Sequence, residues 1–212
     1  MNKLTYPELY DLSKVIKGDK GEVLRVYLNS VDKYRIPAIF ENLNKTYFAG
    51  GCFWCMEESF DKAEGVKDVI SGYSGGTTKN PTYKEVTYGN TGHFEVVEIV
   101  YDSKITNFEN LLNVFWKNID PFDKAGQFYD KGYSYRSVAF YQNQEQKKLI
   151  EKRIKEIELQ YNKSVVTYVR DFDKFYKAED YHQNYYQTNF INYLLYKKGC
   201  GRENKLDQIW KK

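Results

Sequence analysis

A short apolar run, Tyr47-Phe48-Ala49, ends on two glycines that lead straight into Cys52-Phe53-Trp54-Cys55-Met56-Glu57-Glu58-Ser59-Phe60. The run reads as a buried strand and residues 52–62 as a helix, so the backbone must reverse its geometry across Gly50-Gly51. Glycine makes that turn without the strain a side chain would carry. The joint also leaves Cys52 where unpaired N–H groups and the positive end of the helix dipole stabilise a thiolate. Cys55 follows one helical turn later, on the same face and within bridging reach.

A chain of 212 residues can bury one sizeable core, and its 21 Tyr, 13 Phe and 3 Trp are side chains made to be packed. The net charge of +3, from 32 basic and 29 acidic residues, is too slight to imply a nucleic-acid partner. Three cysteines do not make a disulfide scaffold. No stretch approaches 18 apolar residues and the amino terminus lacks an apolar leader core, so no membrane association is expected. The expected location is cytoplasmic, where thiols rest reduced and disulfides are transient.

Strands are expected at 45–49, 66–73, 93–100, 138–141 and 165–169. Helices are expected at 52–62, around Leu111-Leu112-Phe115-Trp116 with Asn107 as cap, and at 144–158. Tyr83-Lys84-Glu85-Val86 reads as a short turn or helix. In the strand after His93, Glu95 and Val97 share one face while Phe94, Val96 and Glu98 share the other. Residues 120–137 form a long loop whose aromatics favour a functional role. Residues 179–186 read as short helices and 197–202 as a loose tail. These elements predict an α+β fold, a two-layer sandwich of a mixed sheet with helices against it. Residues 1–42 are expected to pack on the core as an extension, and 43–212 to form a catalytic domain with a mobile carboxyl-terminal tail.

Each residue has a bland reading beside the sharp one. A buried cysteine is usually an inert apolar group. Cys52-x-x-Cys55 could supply half of a zinc site, with Cys200 and His93 or His182 completing it. It could also serve a thioredoxin-like dithiol oxidoreductase. The bulky Phe53-Trp54 insert argues against a zinc knuckle, and a dithiol that cycles through a disulfide is the stronger reading. Gly72-Tyr73-Ser74-Gly75-Gly76 lacks the spacing of nucleotide-binding loops and reads as a turn.

Several further segments join the Gly50–Trp54 joint in a common order. They are Ser71-Gly72-Tyr73-Ser74-Gly75-Gly76, Asn80-Pro81-Thr82-Tyr83, Thr91-Gly92-His93-Phe94-Glu95, Asp120-Pro121, Gln127-x-x-Asp130-x-Gly132, Tyr135-Arg136-Ser137 and Tyr181-His182-Gln183. Together they resemble the A-type peptide-methionine sulfoxide reductases over roughly residues 45–190. The resemblance implies that Cys52 attacks the sulfoxide sulfur and that Glu95 protonates its oxygen. It implies further that Tyr83 and Tyr135 hold that oxygen, that Phe53 and Trp54 wall the substrate methyl group, and that Asp130 and His182 line or support the pocket. The implied substrate is methionine S-sulfoxide, free or in peptides and proteins, and the implied reductant is thioredoxin. No cofactor or metal is expected, and the protein is expected to be a monomer. Cys55 stands where many members have glycine, and Cys200 resembles a carboxyl-terminal resolving cysteine, so two candidates for resolving the oxidised Cys52 remain open.

Overall fold

The computed structural model describes residues 42–210. The extension expected over residues 1–42 lies outside them apart from Asn42. Leu43–Lys212 forms one unit built on a six-stranded mixed sheet. Its strands are β1 (Leu43–Ala49), β2 (Val66–Ser74), β3 (Phe94–Asp102), β6 (Val138–Tyr141), β7 (Tyr168–Asp171) and β8 (Phe175–Lys177). They lie in the order β7-β6-β1-β3-β2-β8, with β6–β7 parallel and the other pairs antiparallel. A two-stranded hairpin, β4 (Gly126–Gln127) and β5 (Asp130–Lys131), stands apart.

Three helices cover one face of the sheet: α1 (Phe53–Asp61), α3 (Phe108–Lys117) and α4 (Gln144–Tyr161). Phe53, Met56 and Phe60 of α1, Leu111, Leu112, Phe115 and Trp116 of α3, and Ile150 and Ile157 of α4 pack with Phe48, Val69, Val97 and Ile99 from the strands. Burial of this many large apolar side chains is the main stabilising term, each contributing about 1.5–3 kcal/mol. Asn107 caps α3 as expected, accepting from the Asn110 amide at 2.9 Å.

The opposite face is not left to solvent. Tyr47, Ala49, Phe94, Val96, Val138 and Phe140 form a second cluster, on which Phe172 stacks against Tyr47 at 3.6 Å between ring centres. The alternation read along β3 therefore holds, with Phe94 and Val96 in one cluster and Val97 in the other. Glu98 ends on this second face, where the Tyr47 hydroxyl donates to it at 2.7 Å and Lys45 at 2.8 Å.

Two expectations are corrected. The strand predicted at 165–169 begins at Tyr168, because the amides of Val165 and Val166 donate to Glu158 and to the Pro121 carbonyl rather than to a neighbouring strand. The tail read as loose at 197–202 closes helix α6 (Phe190–Gly199) and opens α7 (Arg202–Trp210), and both Cys200 and Arg202 are buried. The long loop at 120–137 holds the β4–β5 hairpin and a 3₁₀ turn, Tyr133–Tyr135. Among the described residues, no helix is long and apolar enough to cross a membrane.

Candidate active site

Cys52 is the N-cap of α1, set there by the two glycines. Gly51 has φ +81°, and a Cβ on it would stand 2.6 Å from the Gln127 Cβ; one on Gly50 would stand 2.5 Å from the Met56 sulfur. Both an L-residue's conformational penalty and a clash therefore oppose any side chain at 51. Gly51→Ala is expected to lower stability by about 2–4 kcal/mol, the left-handed backbone and overpacking adding together. A urea titration reads this as a lower midpoint at unchanged slope, and a midpoint equal to wild type would remove the account.

Glu95 reaches the same helix start from β3. Its Oε2 accepts the Phe53 amide at 3.1 Å, while Oε1 is buried with no hydrogen-bond partner among the described residues. The residue is 2% exposed, and this burial drives its pKa from 4.5 up to about 8 against the pull of the Phe53 amide. At neutral pH the group is a carboxylic acid. An apolar setting thus keeps protonated a carboxyl that is ordinarily ionised at the surface.

Two phenols share that corner. Tyr83 opens the short helix α2 (Tyr83–Tyr88), whose start is fixed by a capping box between Thr82 and Glu85. Its amide donates to Glu179 Oε1 at 2.8 Å, and the Tyr73 hydroxyl donates to the other oxygen at 2.8 Å. Tyr135 arrives from the 3₁₀ turn. Burial first and the Glu95 charge second raise both phenols, Tyr83 to about 12, and the two hydroxyls also interact with each other. Neither ionises near neutrality, so both remain donors.

Phe53 and Trp54 form an aromatic wall with His182. The Trp54 indole stacks on Tyr185 at 3.9 Å and donates to His182 Nδ1 at 3.2 Å. The His182 ring lies 5.0 Å from Phe53 and 4.5 Å from Tyr83. Because Nδ1 accepts, the neutral ring carries its proton on Nε2, and burial lowers its pKa further. Asp130 on β5 accepts from the Tyr196 hydroxyl, and burial raises its carboxyl. His93 lies outside this group: its Nδ1 accepts the Gly76 amide at 3.1 Å, and Nε2 donates to the Thr78 carbonyl at 2.7 Å. That engagement leaves it no free nitrogen for the zinc reading.

All three cysteines are free, buried and adjacent. Cys55 is the middle one. The Cys200 thiol lowers its pKa, but interaction with Cys52 and burial outweigh that and push it up to about 12. Contact with Cys55, then burial, raises Cys200 in turn. The Cys200 thiol donates to the Lys197 carbonyl at 3.2 Å. Its glycine neighbours therefore do not serve a long reach, since the sulfur already lies beside Cys55.

Sequence reasoning missed Glu179, Tyr193, Tyr196 and Arg202. Tyr193 packs with Cys52 and Cys55, and Tyr196 meets the Trp54 indole edge-on at 5.9 Å. The signal was available, because Tyr193, Tyr196, Lys197 and Cys200 recur at i, i+3, i+4 and i+7, one face of a helix.

The family profile described as peptide methionine sulfoxide reductase matches residues 44–212. The peptide methionine sulfoxide reductase MsrA of Listeria innocua is 47% identical over 173 residues, 81% of this chain and 98% of that protein. MsrA 2 of Staphylococcus aureus is 45% identical over 164 residues, 76% of this chain and 93% of that protein. Methionine sulfoxide reductase A of Corynebacterium diphtheriae superposes with a TM-score of 0.64 at 29% identity, covering 70% of this chain and 76% of that one. Reduced Mxr1 of Saccharomyces cerevisiae gives 0.66 at 29% identity, covering 70% and 87%. The chain belongs to the A-type peptide methionine sulfoxide reductase family, and its activity is the reduction of peptide methionine sulfoxide.

Proposed function

We propose that this protein reduces the S epimer of methionine sulfoxide, free or in peptides and proteins, through oxidation of Cys52 and a disulfide relay ending at Cys200. The observation that carries the reading is Glu95: a buried carboxylic acid, protonated at neutral pH, with one oxygen unpaired beside the helix that Cys52 caps. A sulfoxide sulfur becomes electrophilic only when its oxygen gains a proton or strong donors. Glu95 supplies the proton, and the neutral phenols of Tyr83 and Tyr135 stabilise the changing charge on the oxygen. Phe53 and Trp54 receive the methyl group, and this division of dry wall from donors selects one epimer. Asp130 and His182 hold the rim through Tyr196 and Trp54.

Cys52 takes the oxygen and becomes a sulfenic acid, oxidised by two electrons as methionine sulfur is reduced by two. The Cys55 sulfur then attacks the Cys52 sulfur, the disulfide forms, and the oxygen leaves as water. Attack by Cys200 on the Cys55 sulfur moves the bridge to Cys55–Cys200 and returns Cys52 as a thiolate. Thioredoxin reduces the outer bridge in a reducing, cytoplasmic setting. Support for Cys55 as first resolver comes from its place between the other two sulfurs.

The relay predicts a stoichiometry. Reduced protein given S-sulfoxide without any reductant should release about two equivalents of methionine, because the transfer frees Cys52 to react again. The R epimer should release almost none. Peptide mapping should find the Cys55–Cys200 bridge, and a yield of one equivalent with a Cys52–Cys55 bridge would overturn the transfer step.

A further inference from the structure

The relay carries one negative charge along three buried sulfurs, and Arg202 is a buried cation in the electrostatic field of all three. It is the first residue of α7 and only 3% exposed. Its guanidinium donates to the Asn118 carbonyl at 2.7 Å and to the Gly50 carbonyl, two residues before Cys52, at 2.9 Å. It also lies 3.6 Å from the Met56 sulfur, on the same helix as Cys55. The Phe128 ring packs on the guanidinium at 4.4 Å, and Phe128 holds φ +53° to put it there. A bulky residue in that region is strained, and such strain persists where the surroundings impose it.

Among the described residues, no carboxylate forms an ion pair with this guanidinium. Asp130 lies in its field without a direct ion pair and accepts from the Tyr196 hydroxyl. A buried cation without an anionic partner is costly, and it is normally removed or paired. The other groups in its field are the thiols of Cys55, Cys52 and Cys200, together with the Tyr196 phenol. Tyr193 and the Glu58–Lys197 pair stand behind the same sulfurs. A thiolate formed during turnover would supply the anion that no described residue offers Arg202 as an ion pair.

We infer that Arg202 is the counter-ion of the relay, a positioning residue that stabilises the thiolate as it passes from Cys200 to Cys52. The step balances: the Cys200 thiol loses its proton to water, the resulting thiolate attacks the Cys55 sulfur, the Cys52–Cys55 bond breaks, and its electron pair leaves on Cys52. The net charge of the sulfur group stays constant while its location moves, which is what one fixed cation can follow. The inference rests on the relay proposed above.

The test compares Arg202→Met, which keeps the length without the charge, with Arg202→Lys. Rapid acid quench and peptide mapping would follow formation of the Cys55–Cys200 bridge from pH 6 to pH 9. Arg202→Met should slow it at least about tenfold and move its pH profile upward by about one unit, with Arg202→Lys recovering most of the rate and the profile. Equal impairment of both variants with an unmoved pH profile would reduce Arg202 to packing and overturn the inference. Thermal melts of both variants separate misfolding from loss of charge. Wild type that itself never forms the Cys55–Cys200 bridge removes the relay, a failure read without any Arg202 variant.

Discussion

Replacing Cys52 with serine is expected to abolish sulfoxide reduction, by at least about 10⁴-fold, while leaving the fold as stable as before or more so. The activity half follows from chemistry: a hydroxyl at this position ionises far above neutral pH and cannot hold the transferred oxygen as a reversible intermediate. The stability half follows from place. Cys52 caps α1 without making a side-chain hydrogen bond to the orphan amides. Serine is among the preferred residues at an N-cap and sulfur is not, so the substitution should add up to about 1 kcal/mol. Turnover with dithiothreitol and a urea midpoint on the same preparation check both halves. Measurable turnover in the serine variant would remove Cys52 as nucleophile, and a large loss of stability would show that its sulfur packs more than it reacts. The wild-type cysteine therefore sits where another side chain would make the better helix, an expected mark of a residue kept for reactivity.

Much of this site is legible in the linear sequence because local physics sets it. The Gly50-Gly51 turn, the cysteine at the helix start and the alternation that puts Glu95 beside Val97 need only strand and helix periodicity. The departures arise where distant segments meet. Strand β7 starts late because the Val166 amide finds the Pro121 carbonyl, a partner 45 residues away in sequence that no local pattern announces. Glu179 is one acidic residue among 29, yet its two oxygens tie Tyr83 to Tyr73. Cys200 reads as mobile because glycines flank it, while the helix before it and the buried Arg202 after it hold it against Cys55. Propensity describes what a segment can do alone, and the tail is ordered by what it packs against.

Glu95→Gln is expected to cut kcat/KM by about 10²–10³ at pH 7, because the amide still donates a hydrogen bond to the sulfoxide oxygen but cannot give up a proton. Wild-type activity should itself fall as pH rises through about 8, where the buried acid ionises, and the glutamine variant should show no such limb. Stability supplies an independent reading with its own sign. The folded carboxyl titrates near 8 and the unfolded one near 4.5, so the unfolded chain releases its proton first. Below about pH 4.5 both states are protonated and the group contributes nothing to the pH dependence. Between there and pH 8 wild type loses up to about 1.4 kcal/mol per pH unit from this residue, and above pH 8 the loss is complete. The variant carries no such penalty, so its stability relative to wild type should climb across that window and then level off. Urea titrations at pH 5, 7 and 9 measure the climb. A variant with near wild-type turnover would exclude Glu95 as the proton donor, and a flat stability difference would show that the carboxyl is ionised in the folded protein. The two outcomes test one property, a carboxylic acid kept neutral by burial, through a rate and through an equilibrium.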